Sequence, residues 1–347
     1  MENKKIYFIE ILRFLSSLMV VIWHYQHFFL PYNRQSQYSL DVINSKFLNI
    51  FKFDNLGHIA VYIFFCISGF VFSYTYLNKD PTTFKNFFYR RFARLYPLHF
   101  ATLLIVAIMQ LINLRLFGAY EIYFISDIKH FILNFFLISA WGFADGFSFN
   151  GPIWSVSIEI FLYLIFFFLI PHLNKHRILF SFPLLLLILF IYKIKLNTDT
   201  LIVEGLLLFF SGVLIFHLFT SAINKYYLAV LSTLLIIISL TGNFKVFMFC
   251  PGILMFFVFL DYNFKISNQA KKIFEILGNM TYASYLIHVP VQLTIILIIN
   301  IFGIQIFNFN SAYIFFIFIF LVYVISYFTF KLFEKPLNNF IKNKLIK

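Results

Sequence analysis

Two ionisable side chains in the first apolar segment are the strongest candidates for chemistry. Arg13 and His24 lie eleven residues apart within the apolar run 7–30. In an α-helix, eleven residues return to nearly the same face about 16 Å further along the axis. Ionisable groups at membrane depth are costly and usually face a polar interior or a partner. The pair therefore predicts a functional cavity along one face of a membrane-spanning helix, and His27 follows one turn later.

Two arginines at the cytoplasmic start of the third apolar segment form a second candidate. Arg91 and Arg94 are one helical turn apart, so they present two guanidinium groups side by side. Such planar forks suit the bidentate recognition of phosphate. Ordinary positive charge at the cytoplasmic end of a span is the alternative interpretation.

A carboxylate in the fourth apolar segment is the third candidate. Glu159 follows Trp154 and Ser155 and would lie about 12 Å below the outer end of its helix. His24 would lie about 9 Å below the outer end of the first helix, at nearly the same depth. A carboxylate that orients and charge-balances an imidazole makes it a general base. The sequence therefore predicts a catalytic pair of His24 and Glu159.

For two further groups of polar residues, a structural role explains the pattern as well as a functional role does. Tyr285 and His288 are three residues apart and share a helical face, as packing or interfacial residues also do. Ser68 and Gly69 in the second apolar segment are equally typical of a site where two helices approach closely.

The composition indicates the elements that must position these residues. The chain is 61% hydrophobic and 12% charged, whereas soluble domains carry roughly 25% charged residues. Apolar runs of about 20 residues recur along it, as in helical membrane proteins. We predict an all-α polytopic membrane helix bundle of about ten transmembrane helices, at 7–30, 57–77, 98–117, 151–171, 177–192, 200–220, 226–241, 246–260, 281–302 and 311–332.

The distribution of charge predicts the orientation of this bundle. The formal net charge is +13, from 27 Lys and Arg and 14 Asp and Glu. With the N-terminus in the cytoplasm, 18 of the basic residues fall inside and 8 outside, with Arg13 within the membrane. The positive-inside rule thus predicts that both termini are cytoplasmic. The net positive charge is explained by the membrane topology and gives no indication of nucleic acid binding.

No linker, charge block or repeat divides the chain, so we expect a single integral membrane domain over 1–347 without a soluble extension. The longest extramembrane segments, 31–56 and 118–150, are both external in this topology. Within the second, the apolar stretch 128–141 is too short to span comfortably and is interpreted as a re-entrant or interfacial helix, with an eleventh span as the alternative. The two cysteines form no metal or disulfide motif, and we expect no metal site.

Taken in order, these segments resemble the acyltransferase 3 family of integral membrane acyltransferases. The resemblance covers nearly the whole chain, and it rests on six short motifs that are each weak alone but occur in the expected order. The matching residues are Arg13 and His24, the run Phe64–Phe70 with Ser68 and Gly69, Arg91 and Arg94 followed by Tyr96 and Pro97, Trp154 and Ser155 through Glu159 to Tyr163, the run Ser284–His288, and Glu334–Pro336. Departures are small: Ile160 stands where many members have a second acid, Cys66 replaces an aliphatic residue, and Lys335 replaces an Arg.

The resemblance implies an acyl-CoA-dependent O-acyltransferase of the bacterial inner membrane. Such a protein would move an acyl group, with acetyl expected, from cytoplasmic acyl-CoA to a hydroxyl of a cell-envelope polysaccharide, such as lipopolysaccharide, or of a lipid-linked sugar. Acyl-CoA would be a co-substrate, with no permanently bound cofactor, and the expected partners are membrane lipids and the glycan acceptor. The implied roles are catalysis by His24 and Glu159, donor binding by Arg13, Arg91 and Arg94, and support by Ser68, Gly69, Trp154, Ser155, Tyr285 and His288.

Several alternatives stay open at this point. Transfer could be direct, with His24 as base, or could pass through an acyl-histidine, because His can also act as a nucleophile. A cavity lined by Arg, His, Glu and aromatic rings would equally suit an exporter or flippase of polysaccharide or lipid-linked oligosaccharide, or a glycan polymerase. Binding of acyl-CoA and release of free CoA discriminate, because neither alternative needs them.

Overall fold

The computed structural model describes residues 6–29, 47–48, 53–194, 200–241, 245–304 and 308–346, with side chains from 56 onward in the second helix. Most of the predicted external segment 31–56 lies outside the described residues. Across the described ranges the regular structure is helical, and the one extended pairing assigned there is an isolated bridge between Ile125 and Ser148. The prediction of an all-α membrane bundle is therefore confirmed.

Twelve α-helices are assigned in the described part of the chain. A short 3₁₀ turn over Tyr25–Phe29 continues α1, and a π-helical turn over Phe330–Glu334 joins α11 to α12. The bounds are α1 Tyr7–His24, α2 Phe53–Tyr76, α3 Phe84–Phe117, α4 Ile128–Phe135, α5 Ile153–Ile194, α6 Thr200–Thr220, α7 Lys225–Ser239, α8 Lys245–Asn263, α9 Asn268–Asn279, α10 Thr281–Phe302, α11 Ala312–Thr329 and α12 Lys335–Leu345.

Among the described residues, eight helical stretches are long and apolar enough to cross a membrane, and α7 is a shorter apolar helix. The predicted spans 151–171 and 177–192 are two consecutive helices within α5, and the non-helical backbone of Arg177, with φ 42° and ψ −119°, separates them. Each predicted apolar segment thus falls in a helix. The exact number of spans and the cytoplasmic location of the termini stay predictions.

The segment 128–141 does not form a spanning helix. Only the eight residues of α4 are helical, which is about 12 Å of axis. Asp127 caps its N-terminus by accepting from the backbone N–H of His130, and Leu137 then adopts a positive φ of 57°. An eleventh span here is excluded by this length, because a bilayer core needs about 20 helical residues.

The chain groups into two compact units, each built from three stretches of sequence. Unit 1 comprises Met1–Ser16, His58–Phe84 and Ile158–Asn279. Unit 2 comprises Ser17–Gly57, Lys85–Ser157 and Met280–Lys347. The expectation of a single domain stays a prediction.

In unit 1, two glycines bring α2 and α6 into backbone contact. An added Cβ on Gly69 would lie 1.8 Å from the carbonyl oxygen of Phe209, and one on Gly212 would lie 2.0 Å from that of Cys66. Small residues of this kind let membrane helices approach closely. The close-packing interpretation of Gly69 therefore applies, and this contact fixes the backbone beside Ser68.

In unit 2, the core around the end of α1 is largely aromatic and aliphatic. Its buried residues are Val21, Tyr25, Leu48, Ile287, Val291, Phe315, Phe318 and Val322. Tyr25 is fully buried, and its hydroxyl donates to the carbonyl of Phe309 at 2.9 Å. This core joins the end of α1 to α10 and α11, the elements that carry the polar residues described next.

Candidate active site

His24 is the last residue of α1 and lies in a cluster of rings within unit 2. Its side chain is buried, and Nδ1 lies 2.8 Å from the carbonyl oxygen of Val20, one turn earlier on the same helix. The imidazole ring centre is 4.6 Å from Trp23, 5.0 Å from His27 and 4.4 Å from His288. The structure thus brings together two predicted site residues, His24 and His288.

The cluster is tied together by α10. His288 is fully buried, and its Nδ1 lies 3.0 Å from the carbonyl oxygen of Ser284. One turn further, the buried Gln292 donates from its side-chain amide to the backbone carbonyl of His24 at 2.7 Å. This bond fixes the end of α1 against α10. Sequence reasoning missed Gln292, although its i+4 spacing from His288 places both on one helical face.

Ser155 and Tyr285 form a second hydrogen-bonded group in unit 2. The Tyr285 and Ser155 hydroxyls are hydrogen-bonded to each other at 2.6 Å, and they lie 2.9 and 3.3 Å from the carbonyl oxygen of Pro152. Trp154 lies beside Phe147, with ring centres 6.1 Å apart. Ser155, one of the predicted supporting residues at the start of α5, is therefore anchored to Tyr285 of α10.

The residues just before α5 shape one side of the histidine cluster. Asn150 is buried and donates to the backbone carbonyl of Leu286 at 2.9 Å. Gly151 leaves room for the ring of Tyr123, because an added Cβ would lie 2.2 Å from it. Tyr123 in turn lies edge-on to His27, with ring centres 5.6 Å apart. Asn150 and Tyr123 were not predicted, because their partners lie in distant segments.

Arg91 and Arg94 lie half-buried on α3, with Arg90 exposed beside them. Lys342 of α12 adds a fourth basic residue, since Arg94, Arg91 and Arg90 all repel its ammonium group. A bound anion would relieve such repulsion between like charges. Lys342 was counted only as a cytoplasmic charge in the sequence, because nothing in its own segment indicates a partner on α3.

In unit 1, both oxygens of the Glu159 carboxyl group accept hydrogen bonds. Ser68 donates to Oε1 at 2.6 Å, and Tyr163 donates to Oε2 at 2.9 Å. Ser68 comes from α2, and Tyr163 is one turn beyond Glu159 on α5. The structure therefore brings three residues of the predicted motifs together and holds the carboxyl group in a defined orientation.

Arg13, also in unit 1, forms an ion pair that the sequence did not predict. Its guanidinium lies 3.0 Å from Oε2 of Glu10, one turn earlier on α1. Glu10 packs against Gly278, where an added Cβ would lie 1.9 Å from its carboxyl oxygen. The spacing of Glu10 and Arg13 could have revealed the pair, since residues three apart on a helix are neighbours.

The predicted site residues are divided between the two units. His24, Arg91, Arg94, Trp154, Ser155, Tyr285 and His288 belong to unit 2, while Arg13, Ser68, Gly69 and Glu159 belong to unit 1. The pairing of His24 with Glu159 and the grouping of Arg13 with the other two arginines stay predictions. In the part of the chain that is described, no group of three or more His, Cys, Asp or Glu is arranged to hold a metal ion.

The eight long apolar helices among the described residues are those of a multi-pass membrane protein. The family profile described as an acyltransferase domain, that of the acyltransferase 3 family, matches residues 6–331, so the chain belongs to this family. It is similar to the acyltransferase MdmB of Streptomyces mycarofaciens, with 38% identity over 115 residues. That match covers 32% of this chain and 28% of the relative's length. No solved structure matches the chain.

Proposed function

We propose that this membrane acyltransferase transfers an acyl group, with acetyl expected, from cytoplasmic acyl-CoA to a hydroxyl of a cell-envelope polysaccharide or lipid-linked sugar, in a bacterial inner membrane. The similarity to MdmB, which is named an acyltransferase, supports acyl transfer but covers under a third of either chain. The remaining support comes from the chemistry of the two candidate groups in unit 2.

The hydrogen bond of His24 is the observation that carries the proposal. A carbonyl oxygen can only accept, so Nδ1 of His24 carries the hydrogen and donates a hydrogen bond to the carbonyl oxygen of Val20. In a neutral imidazole, Nε2 then has the lone pair that a general base needs. A buried histidine held in this tautomer, with its ring fixed by neighbouring rings, is suited to removing the proton of a hydroxyl.

The reaction then balances without a further reagent. The hydroxyl oxygen forms a bond to the thioester carbonyl carbon as its proton passes to Nε2 of His24. The carbon–sulfur bond breaks, and the proton moves from His24 to the sulfur of the departing CoA. Glu159 would balance the charge that His24 carries in between, and its bonds to Ser68 and Tyr163 support a fixed orientation for that role.

The basic group on α3 and α12 is the proposed binding site for the phosphates of the donor. Arg91 and Arg94 both repel Lys342, and a ligand with several negative charges would relieve that repulsion. Arg13 would contribute only if its ion pair with Glu10 opens or is shared. Donor phosphates would thus occupy the cytoplasmic side in the predicted topology.

Purified protein in nanodiscs with labelled acetyl-CoA and mixed envelope glycan tests the proposal. We expect wild type to release CoA and label the glycan, and His24→Ala to lower kcat by about 100-fold or more, the usual contribution of a general base. Arg94→Ala should raise KM for acetyl-CoA by about tenfold, as expected for loss of a charge-assisted hydrogen bond. Arg115→Ala, at the opposite end of α3, is the matched control and should leave KM unchanged.

A second pair of variants tests the carboxylate. Glu159→Gln should lower kcat, whereas Glu204→Gln, which removes another membrane-depth carboxyl group in unit 1, bonded to Tyr62, should not. A covalent acyl group trapped on His24 in the absence of acceptor would contradict direct transfer. Failure of wild type to bind acetyl-CoA would contradict acyl transfer from CoA altogether and favour the exporter or flippase.

A further inference from the structure

The second imidazole of the cluster has a tautomer that its own helix determines. Nδ1 of His288 lies 3.0 Å from the carbonyl oxygen of Ser284, which can only accept, so Nδ1 carries the proton. In the neutral ring, Nε2 is then an acceptor. His24 shows the same arrangement with Val20, so both rings present Nε2 as a lone-pair nitrogen.

The lone pair of His288 has no hydrogen bond in the structure. Its Nε2 is fully buried and has no partner among the described residues. Burying an acceptor in this way costs free energy, and native structures rarely leave such groups unsatisfied without a reason. Pro290 and Gln292 on the next turn are also buried, and Gln292 holds the backbone of His24, so relaxation of α10 would disturb the candidate site.

The two rings lie close enough to interact directly. Their centres are 4.4 Å apart and their planes are tilted by 57°. Two neutral rings that both have a lone pair on Nε2 cannot hydrogen-bond through these atoms. Once either Nε2 takes up a proton, it becomes a hydrogen-bond donor. The other Nε2 can then accept, and because it is already buried, no water has to be removed from it first.

We propose that His288 is a positioning residue that acts through His24, by accepting a hydrogen bond from Nε2–H of His24 while that ring holds the proton of the acceptor hydroxyl. The inference rests on the proposed function. The proton leaves the hydroxyl as the new oxygen–carbon bond forms, stays on His24 with His288 as acceptor, and then passes to the CoA sulfur as the carbon–sulfur bond breaks. His288 gains and loses no proton overall.

This role separates His288 from His27, the other imidazole beside His24. The ring of His27 is further away, at 5.0 Å, and it belongs to the 3₁₀ turn and not to α10. His27 is hydrogen-bonded to Gln292, and its ring contacts Tyr123 toward the segment that precedes α5. We therefore assign the acceptor role to His288 and a packing role to His27.

Kinetics of His288→Leu and His288→Gln test the proposal, with CoA release measured per folded protein. We expect His288→Leu to lower kcat roughly 10- to 100-fold, the effect of losing a hydrogen bond to a charged group, while KM for acyl-CoA stays within about twofold. His288→Gln keeps an acceptor oxygen and should recover much of kcat. His99→Leu, which removes another buried histidine of unit 2, is the matched control and should leave kcat unchanged.

Three kinetic results would overturn the proposal. These are a wild-type kcat in His288→Leu, an equal loss of kcat in His288→Leu and His288→Gln, or a loss of kcat in His27→Leu as large as that in His288→Leu.

Nitrogen NMR of ¹⁵N-histidine-labelled wild type in nanodiscs provides a test that needs no active variant. We expect Nε2 of His288 to give a lone-pair resonance, assigned by its loss in His288→Gln, and a protonated Nε2 would also overturn the proposal. Absence of CoA release by wild type would refute the proposed function instead.

Discussion

At the scale of single residues, Glu121 is a buried carboxyl group that the sequence did not single out. It lies in the segment between α3 and α4 and is 4% exposed. Its backbone N–H donates to the side chain of Gln110, and its carbonyl accepts from the same side chain. The next residue, Ile122, has a positive φ of 62°, which is strained for a β-branched side chain. The turn thus holds Glu121 inside at a conformational cost.

Burial raises the pKa of Glu121 to about 7, from an ordinary value of 4.5, although a hydrogen bond from Asn300 acts in the opposite direction. Because the folded-state pKa lies above the unfolded one, the folded protein binds more protons between these values. Its contribution to stability is fully present below about pH 4.5 and is lost as the pH rises through about 7.

Replacing Glu121 by Gln should therefore stabilise the protein at alkaline pH. We expect the melting temperature of Glu121→Gln in detergent to exceed that of wild type at about pH 8, and the difference to shrink on acidification towards pH 4.5. Asp80→Asn, at an exposed carboxyl group, is the control and should show no such pH-dependent difference. A Glu121→Gln curve parallel to that of wild type over this range would contradict the assigned protonation.

The residues of the candidate site differ in how far sequence could identify them. His24, Glu159 and the two arginines were predictable because their types are rare at membrane depth and their spacing is informative. Gln292, Asn150 and Lys342 were not, because each has its role through a partner far along the chain, and no local pattern encodes that partner.

At the scale of elements, α5 shows that hydropathy locates two helices but not the geometry of their junction. The residues between the predicted spans, 172–176, are mostly polar and look like a loop. In the structure they remain helical, and the non-helical backbone of Arg177 separates the two helices. Hydropathy identifies apolar length and cannot distinguish a short polar loop from a kink at one residue, so the two helices were predictable and the form of their junction was not.

The paired glycines of α2 and α6 give a prediction at the same scale. Gly69→Ala and Gly212→Ala place a methyl group within 2.0 Å of a backbone oxygen on the other helix, which only backbone movement can relieve. We expect each to lower stability by about 1–3 kcal/mol or more, as overpacking does. Thermal unfolding in detergent measures this loss.

Gly205→Ala is the matched control on α6. There the added methyl group would lie 2.8 Å from a side-chain carbon of Ile158, which can rotate away. Its melting temperature should lie between those of wild type and Gly212→Ala. Equal melting temperatures for Gly205→Ala and Gly212→Ala would show that the contact between α2 and α6 is looser than the structure indicates.

At the scale of the whole molecule, orientation in the membrane was predicted from charge alone. The excess of Lys and Arg on one side indicates the overall orientation, but it does not determine the side of any single loop. The apolar segments and their helical state were predictable because the bilayer permits few alternatives to a helix. Their division into two compact units was not, because that depends on contacts between segments far apart in sequence.

Cysteine labelling in intact cells tests this orientation. Cys66 and Cys250 are both buried, so the native chain should react little with a membrane-impermeant maleimide. We expect Asp145→Cys, an external position in the predicted topology, to be labelled in intact spheroplasts. Lys79→Cys should be labelled only after the membrane is permeabilised. Labelling in the opposite pattern would invert the topology and place the proposed donor site outside.

The cap of α1 has a consequence for the order in which the protein is made. The carboxylate of Asp261, on α8, accepts from the backbone N–H groups of Phe8 and Ile9 at 3.0 and 3.2 Å. Helix N-termini lack such partners within their own helix, and a negative charge there is favourable. Because α1 is synthesised before α8, the hydrogen bonds of its opening turn form only after a residue 253 positions downstream has been added. The helix that carries Arg13 and His24 is therefore completed late, by a side chain made long after its own residues.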